Sequence, residues 1–110
     1  PEVAVYDVNG PMFFGAAEKA LASLRLVDPK VRIIILDMQD VPSMDGTAIV
    51  ALQTLIEDMH KEQVSLILTG LPARIIVKLR RAHVRKVAGR LTYAGNLTQA
   101  KAIATRWLAP

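Results

Sequence analysis

From Val31 to Leu36 the chain reads Val-Arg-Ile-Ile-Ile-Leu, a β-branched and nearly continuous apolar run. Such a run suits a strand covered on both faces better than one alternating between core and water. From Ala48 the apolar period lengthens: Ala48, Ile49, Leu52, Leu55, Ile56 and Met59 recur at helical spacing, with Gln53, Glu57, Asp58 and Lys61 between them. Val3 to Val8 and Val64 to Thr69 read as further strands, and Leu91 to Ala94 as a short fourth one. Gly10-Pro11 breaks the first strand before a helix from about Gly15 to Arg25, with Ala17, Ala20, Leu21 and Leu24 as its stripe, and Asp28-Pro29 makes a turn. A helix begins near Pro72, where a missing N–H costs nothing, and buries Ile75, Ile76 and Leu79. The last helix starts at Gly95-Asn96, with Asn96 as cap and Gln99 three residues on, and turns Leu97, Ala100, Ile103, Ala104, Trp107 and Leu108 inward.

Strands alternating with helices through short loops predict an α/β fold: a central, mostly parallel sheet of about four strands, with an edge strand free to run the other way, and covering α-helices. The 110 residues, 52% of them hydrophobic, suffice for one core and not two, so a single domain over 1–110 is expected. Ligands of open sheets of this kind sit beyond the carboxyl ends of the strands. There the second strand passes through Asp40, Pro42, Ser43, Met44, Asp45, Gly46 and Thr47 into the amphipathic helix. Asp45 or Ser43 can cap that helix, Gly46 lets the backbone approach closely, and Thr47 places a hydroxyl where unpaired N–H groups and the helix dipole favour negative charge.

Charge separates the halves. Residues 1–62 hold all ten acids with five Lys or Arg, and residues 63–110 hold nine Lys or Arg and no acid, giving −5 against +9. Arg74, Lys78, Arg80, Arg81, Arg85, Lys86 and Arg90 crowd around the third helix and the loop after it, with His83 among them. Such a cluster attracts anionic surfaces: lipid headgroups of the cytoplasmic leaflet, an acidic protein such as an acyl carrier protein, an acidic loop of the same polypeptide, or nucleic acid. Nucleic acid is disfavoured, because no aromatic residue interleaves with the basic run to make a stacking platform. The plain alternative is a solvated helix face balanced by the acidic half.

Two segments carry a family resemblance. LDMQDVPSMDGTAIVAL, from Leu36 to Leu52, resembles the signature of STAS domains, shared by bacterial anti-sigma factor antagonists and the cytosolic tails of SulP-type anion transporters. In the antagonists the core is Asp-Ser-Ser-Gly, whose second serine is phosphorylated; aligning on Met44 and Asp45 puts Gly46 and Thr47 at the serines and Ala48 at the glycine. GPMFFGAAEKAL, from Gly10 to Leu21, is similar to the strand-to-helix joint of the transporter branch. The resemblance implies a non-catalytic regulatory and protein-interaction module at the cytoplasmic face of the bacterial inner membrane. It also implies that the rest of such a transporter, carrying sulfate, bicarbonate or dicarboxylate, lies in a membrane segment outside this chain. It further implies Asp40, Ser43, Asp45, Gly46 and Thr47 as the regulatory loop, Thr47 as phospho-acceptor, and the membrane-embedded part of the same polypeptide as first partner. The alternative is a free-standing antagonist acting as a phosphorylation-controlled switch.

Other chemistry has little to stand on. There is no cysteine, so disulfides and thiolate metal sites are excluded, and His60 and His83 match no metal-ligand spacing. VPSMDG is not a nucleophile elbow, and no phosphate-cradling glycine motif occurs. Asp37 and Asp40 could bind a metal, but an acid pair at a strand end is more often turn chemistry. No cofactor and no enzyme activity are expected. No apolar run reaches the roughly 20 residues that span a bilayer. The start at Pro1, directly before a strand, reads as a domain cut from a longer polypeptide. Phe13 and Phe14, adjacent in an extended segment, point opposite ways, one to the core and one to an interface or a second buried position; Trp107 locks the last helix onto the sheet.

Overall fold

The computed structural model describes residues 2–9 and 29–110. The predicted first helix, the Gly10-Pro11 break before it and the pair Phe13 and Phe14 lie outside the described residues. Within them the order is β1 (Val3–Asn9), β2 (Ile33–Asp40), α1 (Gly46–Lys61), β3 (Ser65–Thr69), α2 (Ala73–Arg81), β4 (Leu91–Ala94) and α3 (Leu97–Leu108).

The strands lie side by side in chain order and every neighbouring pair is parallel. The edge strand that might have run the other way therefore does not. One row crosses the whole sheet: Tyr6, Leu36, Leu68 and Tyr93 are register partners. Parallel neighbours need crossovers, and right-handed crossovers taken in one direction place α1 and α2 on the same face. There Ile34, Leu36, Met38, Leu66, Leu68, Leu91 and Tyr93 meet Leu52, Leu55, Met59, Ile75 and Leu79. On the opposite face Ile33, Ile35 and Ile67 pack under Ala100 and Ala104 of α3, with Trp107 half-buried at the margin. Two covered faces explain why β2 reads as an unbroken apolar run rather than an alternating one.

β2 runs on to Asp40, past the point where its apolar run ends. Pairing with β1 and β3 persists through Asp37, Met38 still fills the core, and the Asp37 carboxylate accepts the Gln39 amide at 3.2 Å. The polar tail is thus strand by pairing, which a hydropathy pattern does not display. Both α1 and α2 close with a Schellman arrangement. Val64 N–H donates to Met59 O at 2.8 Å, and Val84 N–H donates to Leu79 O at 2.9 Å. The left-handed position falls on Gln63 in the first and His83 in the second, with no glycine at either.

Candidate functional site

The loop after β2 is built on two buried plugs. Val41 and Met44 are sunk in the core, while Pro42 stays exposed and Ser43 half-buried between them. Asp45 then caps α1: its backbone is extended, and its Oδ1 accepts both the Ala48 amide at 2.8 Å and the Thr47 hydroxyl at 2.7 Å. An aspartate there satisfies N–H groups that the helix cannot and places negative charge at the positive end of its dipole. Asp40, Gly46 and Thr47 are exposed. A Cβ at Gly46 would meet nothing within 4 Å among the described residues, so the missing side chain leaves the helix tip open.

Two of the seven clustered cations turn towards this loop. Arg74 donates from Nη2 to the Pro42 carbonyl, and Lys78 Nζ donates to the Met44 carbonyl at 2.7 Å. They sit four residues apart on α2, each directly before one of the buried Ile75 and Leu79, so one helix edge both packs and reaches across. The Pro42 and Met44 carbonyls thereby accept from charged donors, the stronger kind of hydrogen bond.

Of the remaining cations, Arg80 and Arg81 end α2, and Arg85, Lys86 and Arg90 lie on a second loop, residues 82–90. Arg80 lies over the Tyr93 ring, 5.9 Å from its centroid. The Tyr93 hydroxyl donates to Val84 O at 2.6 Å, and burial pushes its pKa up to about 12 against the opposing effect of Arg80. Gln53 donates to Ala82 O at 2.6 Å and Ser65 to Gly89 O at 2.7 Å. Arg90 donates to His60 Nε2 at 2.8 Å, which leaves the imidazole proton on Nδ1. Between these ties Arg90 N–H closes a tight turn on Val87 O at 2.9 Å, with Gly89 at φ 74. Arg81, Arg85 and Lys86 are exposed and make no side-chain hydrogen bond or ion pair among the described residues. Sequence reasoning missed Tyr93, Gln53 and Ser65, since a polar side chain bonding to a distant carbonyl leaves no spacing signal.

The described residues contain no group of three or more His, Cys, Asp or Glu placed to hold a metal ion. None of their helices is long and apolar enough to cross a membrane. The arrangement offers an open helix tip on a braced loop and, across α2, an outward-facing cationic surface.

The STAS domain model matches residues 1–97. This chain belongs to the STAS domain family. The STAS assignment is supported by solved structures. The chain is similar to a sulfate transporter family protein from Wolinella succinogenes, with 29% identity over 97% of this chain and 88% of that one and a TM-score of 0.82. It is also similar to the STAS domain of a SulP transporter from Vibrio cholerae, with 32% identity over 96% and 83% and a TM-score of 0.76. The anti-sigma factor antagonist SpoIIAA shares the fold, with 14% identity over 94% and 90% and a TM-score of 0.70. No curated protein matches the chain. The all-parallel four-stranded sheet with helices on both faces is the STAS α/β fold.

Proposed function

We propose that this STAS domain is the cytosolic, non-catalytic regulatory and interaction module of a SulP-type secondary transporter for an inorganic or organic anion. Identity to the transporter-associated structures, 32% and 29%, against 14% to the antagonist, carries the reading. The first partner is the membrane-embedded part of the same polypeptide, docking on the open tip formed by Asp40, Ser43, Asp45, Gly46 and Thr47. The outward cations take an acidic protein surface or anionic lipid headgroups. Coupling between the two surfaces runs through Arg74 and Lys78, whose head groups rest on the loop backbone.

The antagonist-like reading keeps Thr47 as a phospho-acceptor. Its hydroxyl already donates to Asp45, so a phosphoryl group there would lose that bond and set about −1.5 to −2 charges beside a carboxylate. Release of a docked partner is the expected consequence.

The test is anion uptake by the full-length polypeptide at matched membrane abundance. Thr47→Asp is expected to change the uptake rate while Thr47→Val changes it little. Identical uptake for both, and for a version lacking the domain, would remove the regulatory reading.

A further inference from the structure

Beside the exposed flank of α1 the surface opens into two cavities of about 520 Å³ and 210 Å³. They share Ile56, Glu57, Val87 and Leu91 and so form one continuous trough between the helix and the 82–90 loop. Its floor and lips are apolar: Val50 is 59% exposed and Val87 48%, and both line the larger cavity. Its loop-side rim is cationic, with Arg85 at one cavity and Arg90 at the other. The helix side carries one acid, Glu57.

We propose that this trough is a docking site for an acidic amphipathic helix of a partner protein. It rests on the reading of the basic side as a contact surface, and adds where the partner lies and in which orientation. The trough follows α1 from Val50 to His60, about 15 Å at the helical rise, enough for two to three turns of a helix laid alongside. A groove between a helix and a loop, apolar below and charged at one edge, takes a helix whose apolar face points down. Charge fixes the rest: carboxylates of the occupant face Arg85, Lys86 and Arg90, and its other flank, against Glu57, is neutral or basic. The rim is pre-organised, because Tyr93, Gln53 and Ser65 hold the loop at Val84, Ala82 and Gly89, so little ordering cost falls on binding.

Fluorescence anisotropy on the 110-residue chain tests it, at about 0.15 M salt where long-range attraction is screened. The probe is a fluorescein-labelled helical peptide of about 14 residues, roughly four turns, with leucines on one face and glutamates on the adjoining one; its scrambled isomer is the control. The designed peptide is expected to bind at least roughly tenfold tighter than the scrambled one, and Arg85→Glu with Lys86→Glu to weaken it by a similar factor. Val87→Asp and Val50→Asp, both at exposed positions that leave the core intact, are each expected to weaken it roughly tenfold. Glu57→Lys is expected to tighten it about threefold. Equal binding of the two peptides would overturn the trough while leaving the basic contact surface standing. Sedimentation with phosphatidylglycerol vesicles, with neither peptide bound, would assign the basic side to membrane and overturn the proposal. Self-association that excludes the peptide would make a second copy the occupant and overturn it as well. Binding to none of these would remove both the trough and the basic contact surface.

Discussion

The loops at residues 41–45 and 82–90 are braced in opposite ways. The first is held by cations reaching over from α2, and the ammonium of Lys78 is spent on a carbonyl of the chain itself. The second is held mainly by neutral groups, the hydroxyls of Tyr93 and Ser65 and the amide of Gln53, with Arg90 alone of its cations tied, to His60, so Arg85 and Lys86 stay turned to solvent. A basic cluster is therefore two populations. One sets the shape of the helix tip, and the other is presented to whatever approaches.

The sharpest break in this comparison falls on two glycines. Gly70, just past β3, and Gly89, in the second loop, both have positive φ. A Cβ at Gly70 would stand 2.9 Å from backbone atoms of Gln39, which cannot yield, whereas at Gly89 it would meet nothing within 4 Å among the described residues. Gly70→Ala is expected to cost about 3 kcal/mol, from backbone conformation plus overlap, and Gly89→Ala about 1 kcal/mol from conformation alone. Urea denaturation of the two variants measures the difference; equal costs would mean that the first loop does not rest on a fixed strand end.

Next in size is Tyr93. Its folded pKa of about 12 exceeds the roughly 10 of an unfolded tyrosine, so the neutral phenol is favoured by folding. That stability is whole below about pH 10 and is lost as pH rises through about 12, a span worth about 2 kcal/mol. Tyr93→Phe removes this alkaline loss and, near neutral pH, costs about 1 kcal/mol for the hydrogen bond to Val84. Denaturant titrations at pH 8 and 11 would show the crossover.

The cap and the strut of the first loop come after. Asp45→Ala should cost about 1 kcal/mol, and Lys78→Met about as much, since a charge-assisted bond to a loop carbonyl is lost. Arg85→Gln, at an exposed side chain with no hydrogen bond or ion pair among the described residues, should stay within about 0.5 kcal/mol of the unsubstituted protein. Thermal melting of the three ranks them, and a large loss for Arg85→Gln would collapse the division of the cluster.

The smallest effects carry the opposite sign. Thr69 is fully buried with its hydroxyl unpartnered among the described residues, so Thr69→Val should stabilise by about 1 kcal/mol. His83 holds a left-handed φ of 67 at the end of α2, and His83→Gly should gain about 0.5 kcal/mol. Losses at either position in calorimetry would point to a bond that the geometry does not contain.

Much of this architecture was legible before any coordinates. A β-branched run, a change of period at Ala48 and the Asn96 cap each come from short-range chemistry, and the corresponding strands and helices follow them. Asn96 accepts the Gln99 amide at 2.8 Å, though the Gln99 side chain passes its cap and takes the Gly95 amide instead. Legibility ended where bonds span the chain. Arg74 and Lys78 meet partners 32 and 34 residues away, and in sequence they look the same as Arg85 and Lys86. Their four-residue spacing, in phase with Ile75 and Leu79, was the available hint that they share a packed helix edge. The carboxyl end of β2 was missed for a related reason: pairing with neighbours, and not hydropathy, keeps Asp37 to Asp40 extended.

The brace between α2 and the helix tip is tested most directly by hydrogen exchange of the amides of residues 41–49 in Lys78→Met beside Arg85→Gln. Faster exchange in that segment for Lys78→Met alone, with the rest of the sheet unchanged, is the result predicted. Equal protection in the two variants would contradict it and return the whole cluster to a single solvated face.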